Sequence, residues 1–468
     1  MRVWAALVLV AGCYRPAPEE GTPCSPLGEC PSPLTCSSDG RCVREGADAP
    51  SDMAIDVMPD ADLTCSCAGP TMLHCASGDT ACTLGCSMAP AAHCKQVVPS
   101  NGVDAALAGA VSSPLGVANG STVVCDTDTG QITGDFTRAA GEGVINDVGF
   151  KKHMHFGRAI GLFYVSSLDV NPTGLVRFKG SAAAALLVRH TLTVDGRIDV
   201  SAGCGGTDRT CAGPGGAPGT RIGTMVTNPC SGKNGETDNV NNSDAGGGGG
   251  GAGMVGAKGG DASTFLGGAA GSACLAQQLE PLIGGGGGGG GGNGANALGP
   301  PGGGGGGGLQ LTALEGIAIS GVVSANGSGG AGGAGSGAAA DGDAAGGGGA
   351  GGAVLIEAPT VNIGGAVLVA NGGGGGGAAN SAQAGQPGED GKLSASPAIG
   401  GATGAAPSTA GGNGGAGSTA ATFGPNTGQN QNAGGGGGGV GRIFVRGTTT
   451  GVATTTSPPA TSGALATR

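Results

Sequence analysis

The sequence predicts an all-β protein: an irregular right-handed parallel β-helix with long polyglycine inserts, preceded by small disulfide-rich modules. Three observations predict it. Short apolar runs of period two recur between turn signals from about residue 100 onward. Glycine supplies 110 of 468 residues, concentrated in tracts between those runs. Sixteen cysteines are present, ten of them crowded between Cys24 and Cys94. Aromatic residues are only 2% and charged residues 11%, too few of either for an ordinary enzyme domain of this length. The net charge of −11, without aromatic–basic clusters, argues against nucleic-acid binding.

Residues 1–12 read as an export signal. Met1-Arg2 is a minimal positive start, and Val3 to Val10 is an apolar run too short to span a bilayer. It ends in Val10-Ala11-Gly12-Cys13, which resembles a bacterial lipobox. That resemblance implies cleavage before Cys13 and lipid on its thiol, so membrane lipid becomes the first partner. Acyl chains on both the thiol and the new amine supply the several signals that stable anchoring needs. Loss of Arg2 takes the net charge from −11 to −12.

Residues 13–23 form a Pro/Glu tether. Residues 24–43 hold Cys24, Cys30, Cys36 and Cys42 at C-x5-C-x5-C-x5-C spacing, with an Asp39-Gly40 turn. So short a module has no core of its own and needs bridges; it looks like a small EGF-like or knottin-like unit. Four cysteines allow three pairings, and spacing does not choose among them. Residues 44–64 are an acidic linker. Asp48, Asp52, Asp56 and Asp60 would repel on a helix, and Pro50 and Pro59 would break it.

Residues 65–99 form a second module with Cys65, Cys67, Cys75, Cys82, Cys86 and Cys94. His74 and His93 each precede a cysteine, but the C-x2-C pairs of zinc sites are missing. An exported chain favours bridges over metal there.

Residues 100–447 are expected to form the glycine-rich β-helix. Strands are read at Phe163–Val165, Leu168–Val170, Gly174–Phe178, Leu186–Val188, Leu192–Val194 and Ile198–Val200. Turns fall at Asn171-Pro172, Lys179-Gly180 and Asp195-Gly196. The stretches from Leu186 to Gly203, Leu309 to Gly327 and Val354 to Gly372 repeat one plan: three short strands, then Ala-Gly or Ala-Asn-Gly. Arg442 to Arg446 begins another copy. The second and third copies lie about 45 residues apart, and the first is far more distant, so inserts of varying length leave one edge of a solenoid. Those inserts are 203–308, 327–352 and 371–441. Two states stay open for them: packed polyglycine II helices, or loose solvated loops. Residues 448–468 are expected to be a disordered tail. Cys204 and Cys211 flank a short loop, Cys230 and Cys274 are placed to staple the base of the first insert, and Cys125 is left over.

Together the lipobox, the GECPSPLTCSSDGRCV module, CTLGCSMAPAAHCKQVVPSNGV and LTVDGRIDVSAG followed by polyglycine resemble exported lipoproteins of myxobacteria and related δ-type bacteria. The resemblance covers nearly the whole mature chain and implies architecture and export rather than an activity. The glycine tracts are also similar in composition to mycobacterial PE-PGRS proteins, although the PE helices are missing.

The search for chemistry yields no catalytic, metal or cofactor residues. Asp169, Asp195, Asp199, Glu315 and Glu357 are thinly spread through the rungs, and Asp195 is explained by its Asp-Gly turn. His153 and His155 share a strand face but lack a third ligand nearby, so Lys151 to His155 reads as a solvated basic strand end. Asp261, Asp341 and Asp343 fit no calcium repeat. The expected function is a non-catalytic structural, adhesive or matrix-contact role at the cell envelope, as a surface-exposed outer-membrane lipoprotein. Extracellular polysaccharide or another surface protein is the expected partner class. The alternatives are a carbohydrate-active β-helix enzyme, or surface and ice binding through polyglycine II faces.

Overall fold

The computed structural model describes residues 65–203, 208–225, 228–238, 243–294, 298–335, 342–380 and 383–468, together with the backbone of two short strands at 34–36 and 42–44. Cys13, Cys24, Cys30 and Cys204, the acidic linker from residue 45 to 64, and Asp341 lie outside them. The chain divides into two compact units. One is Met1–Ala81 with Cys86–His93; the other is Cys82–Gly85 with Cys94–Arg468. Cys82 is bridged to Cys94 within the larger unit.

In the smaller unit, Leu34–Cys36 pairs antiparallel with Cys42–Arg44 and places Cys36 opposite Cys42. Ser66–Cys67, Met72–Cys75 and Gly78–Ala81 form a three-stranded antiparallel sheet. Bridges join Cys65 to Cys75 and Cys67 to Cys86. So small a unit buries little apolar surface and relies on such cross-links.

The larger unit is nearly all β. Its strands fall into three parallel stacks. The first runs through Arg158–Val165, Ala183–Val188, Gly308–Ala313, Ala353–Asn362 and Arg442–Thr450. The second runs through Pro114–Val117, Ser167–Val170, Thr191–Val194 and Gly316–Ile319, then joins the far half of Ala353–Asn362. The third runs through Thr122–Asp126, Leu175–Lys179, Arg197–Asp199, Val322–Ser324, Val367–Val369 and Thr455–Ser457. The first two stacks belong to one curled sheet and the third to another. The antiparallel pairing of Val148–His155 with Arg158–Val165 covers one edge of the first stack.

Inward residues of the three stacks make one apolar core, with Phe163, Leu186, Leu192, Ile198, Leu309, Val354 and Ile443 among its members. Cys125 is a free, buried thiol in that core, and burial pushes its pKa far up. Strands of the second and third stacks alternate buried and open residues, as period two requires. First-stack strands do not: Ala183–Val188 and Gly308–Ala313 are buried on both faces. A second apolar cluster covers their outer face. There Val103, Ala108 and Val111, around a 3-10 helix at Ala105–Ala110, and Leu275, Leu279 and Leu282 pack on Leu162, Ala185, Leu187 and Leu355.

The tail expected to be disordered is ordered. Arg442–Thr450 continues as a strand, Thr461–Gly463 pairs with Phe444–Arg446, and the backbone of Ala466 and Arg468 bonds to Val98 and Gln96. Threonine-rich composition suggested fraying, but β-branched residues suit a strand once a stack edge is there to receive them.

Candidate binding surface

Chain connectivity places the inserts. They leave after Arg197–Asp199, Val322–Ser324 and Val367–Val369, and return at Gly308–Ala313, Ala353–Asn362 and Arg442–Thr450. All three therefore depart from the third stack and rejoin the first, at one corner. A ladder of short polar side chains marks that corner. Asn326 N–H donates to Ser201 Oγ at 3.0 Å, Asn371 N–H to Asn326 Oδ1 at 2.8 Å, and Ser457 hydroxyl to Asn371 Oδ1 at 2.5 Å. Asn326 and Asn371 are the residues just before the glycine of each Ala-Asn-Gly signal; the serines stack on them from either side.

Beyond the corner the inserts merge into one bundle of extended segments. Gly346, Gly349 and Gly352 donate to Ala331, Ser328 and Ala325 carbonyls, so the acceptor number falls by three at each step. Ala345, Gly348 and Gly351 donate to Ala433, Gly436 and Gly439, so there it rises by three. Gly347 and Ala350 donate to Gly289 and Gly286. Successive residues thus address three different neighbours, and every third residue returns to the same one. A left-handed helix of three residues per turn with no internal hydrogen bonds produces this pattern, which is that of polyglycine II. The described tracts are the packed alternative, not loose loops.

Close approach, rather than left-handed backbone, explains the glycines here. A Cβ on Gly349 would stand 1.9 Å from Gly304 O, and one on Gly249 would stand 1.9 Å from Gly437 O. Backbone polar groups take the place that side chains hold in an ordinary core, and they are paired chain to chain. The bridge Cys230–Cys274 ties two of the outer segments. Cys211 is also disulfide-bonded.

On the bundle's outer layer the third neighbour is missing, and side chains cap the outward donors. Glu236 accepts from Leu266 N–H at 2.8 Å, Asp261 from Gly267 N–H at 2.7 Å, and Asn426 from Asp261 N–H at 2.9 Å. Thr422 accepts from Asn413 N–H, Asn413 from Gly400 N–H, and Glu389 from Ile399 N–H at 2.8 Å. Between these caps stand exposed apolar side chains: Phe423 at 69%, Leu266 at 57%, Val255 and Ile399 at 56%. A shallow depression of about 390 Å³ opens beside Phe423, lined also by Lys258, Asp261, Pro425 and Asn426.

The densest polar cluster is buried elsewhere, under the strap that carries Ser100 and Asn101. Glu357, fully buried, accepts from Ser100 hydroxyl, Gln310 Nε2 at 3.0 Å and Thr312 hydroxyl at 3.0 Å. Arg446 approaches it at 3.8 Å and also pairs with Glu280 at 2.7 Å. Burial pushes the Glu357 carboxyl up, against the pull of Ser100, Thr312 and Arg446. The carboxyl of Glu357 is spent on the strap and its neighbours, while Arg446 Nε is buried without a hydrogen bond, so the cluster holds the strap.

The remaining acids and histidines are dispersed. Asp195 accepts from Ser320 hydroxyl across one rung, and His190 meets Glu315 likewise. Asp199 is buried against Arg197, Ser201 and Ser324. His153 and His155 lie stacked, 6.2 Å apart, with His153 Nε2 at 3.0 Å from Asn101 O. The strand end read as solvated is thus half-covered by the Asn101-Gly102 turn. His74 pairs with Asp79. Among the described residues no group of three His, Cys, Asp or Glu is placed to hold a metal ion, and no helix is long and apolar enough to cross a membrane. No family model, curated protein or solved structure matches this chain.

Proposed function

We propose that this is a lipid-anchored cell-envelope protein with a non-catalytic contact role, in which a rigid glycine bundle presents side chains toward extracellular matrix. On this reading the three stacks are the coils of an irregular parallel β-helix, right-handed as parallel crossovers are. The Cys13 anchor holds the chain at the membrane. The observation that carries the reading is the merging of all three inserts into one hydrogen-bonded bundle that leaves apolar side chains exposed on its outer layer. Such a layer loses little conformational entropy when it binds, because its backbone is already fixed. An ice-contact reading fits less well. The Lys258–Asp261 and Glu389–Lys392 pairs on that layer hold their own hydration shells and interrupt any ordered water lattice.

Proteinase K shaving of intact cells, beside a Cys13→Ser control, tests the reading. Loss of the glycine-rich domain only from the lipidated protein is the expected outcome. Full protection until the outer membrane is broken would remove the matrix-contact role and leave a periplasmic structural one.

A further inference from the structure

We infer that the depression beside Phe423 is a binding site for a neutral sugar unit of a polysaccharide. This deepens the matrix-contact reading and rests on it. A three-residue helical period puts Lys258 and Asp261 on one face of their segment, and Phe423 and Asn426 on one face of the next. The two segments are locked side by side: Gly424 N–H donates to Lys258 O at 3.1 Å and Thr427 N–H to Asp261 O at 2.8 Å. The four side chains therefore meet over one opening, on a backbone that does not move to make it.

The chemistry selects the ligand. Phe423 offers an open aromatic face, on which the C–H face of a pyranose ring stacks. Lys258 and Asp261 pair at 2.5 Å, so the opening is electrically balanced. Asp261 Oδ1 is used by Lys258 and Gly267, which leaves Oδ2 to accept; Asn426 uses Oδ1 on Asp261 N–H, which leaves Nδ2 to donate. One acceptor and one donor, on two residues that line the opening, thus remain for a ligand. Sugar hydroxyls need both, whereas a phosphate or carboxylate needs donors alone. A volume of about 390 Å³ is in the range of small-ligand sites and suits one or two rings of a longer chain. Partial burial works against Asp261, but Lys258 and Gly267 N–H hold its carboxyl below the usual range, so it stays an acceptor through mildly acidic pH.

The test is affinity electrophoresis of the full chain, carrying Cys13→Ser for solubility, in gels containing neutral glucans, mannans or galactomannans, with alginate as the acidic comparison. The expected result is retardation in at least one neutral gel. It should weaken at least ten-fold in Phe423→Ala and Asn426→Ala and persist in Phe423→Trp. Unretarded migration of the protein with its site intact in every neutral gel overturns the site, as does retardation by alginate alone or undiminished retardation of Phe423→Ala. Phe423 is exposed, so its substitution leaves the fold intact, and an unchanged melting temperature checks this. The assay uses purified protein and does not depend on where the chain sits in the envelope. Its failure is therefore separable from failure of the shaving experiment.

Discussion

Glu357 and Asp199 are both buried carboxyls, and their pKa values move in opposite directions. Desolvation wins at Glu357, whose pKa lies above the ordinary glutamate value. Its contribution to stability is complete below that ordinary value and is lost as pH rises through the raised one. At Asp199 burial also pushes upward, but Arg197 and hydrogen bonds from Ser201 and Ser324 win, and the pKa falls below the ordinary value. Its contribution is present above the ordinary aspartate value and is lost as pH falls through the lowered one. Melting temperatures measured from acid to mildly alkaline pH should separate the two. Glu357→Gln keeps most of the hydrogen bonds and should flatten the decline toward neutral pH. Asp199→Asn should cost about 1 kcal/mol at neutral pH and little in acid. Parallel pH profiles for the two variants would refute this assignment.

Stability of the inserts is a property of the element and not of any side chain. Most glycines in the bundle donate to a neighbour's carbonyl, so the bundle should respond to a single methyl as a close-packed core does. Gly349→Ala is expected to lower stability by about 3 kcal/mol, because the new Cβ would meet Gly304 O at 1.9 Å. Gly109→Ala is the control: it lies in the 3-10 helix Ala105–Ala110 with nothing within 4 Å, and should be neutral or slightly stabilising. Comparable melting temperatures for the two variants would mean that the bundle is not packed as described. The caps belong to the same scale. Asp261, Asn413, Asn426 and Glu389 are spaced where outward N–H groups lack a polyglycine neighbour, so they finish the layer and blunt its tendency to add another chain.

At the scale of the whole larger unit, two different cores are joined along one corner. The strand stacks bury apolar side chains, while the bundle buries backbone. Amide hydrogen exchange should therefore protect 284–292, 346–352 and 434–441 as strongly as 184–188, although the glycine tracts would exchange fast as free loops. The last strand closes the stack, and its backbone continues to the segment at Gln96 and Val98. Deleting 461–468 should lower the melting temperature and speed exchange at Phe444–Arg446 while sparing 184–188. Unchanged exchange at Phe444–Arg446 would mean the tail contributes nothing.

Local pattern by itself determined the strand runs, the repeat plan, the corner from which inserts depart and the roughly 45-residue spacing of two copies. That spacing appears as hydrogen bonds such as Thr312 to Glu357 and Asn371 to Asn326. These features depend on neighbours in sequence: period-two apolarity, turn residues and the Ala-Asn-Gly signal. The glycine tracts were legible as inserts, but their order was not. Polyglycine II and solvated loop share one composition, and only the positions of three neighbouring chains distinguish them. The same holds for the network of Glu357 and Gln310, which forms only where the strap at Ser100 and Asn101 covers them. It holds too for Asp261, which is far in sequence from Phe423 and Asn426 and meets them because parallel three-fold helices bring their outward positions level. Residues that bond to the chain next door carry no local periodic signal, so tertiary packing alone decided the bundle, the buried network and the candidate sugar site.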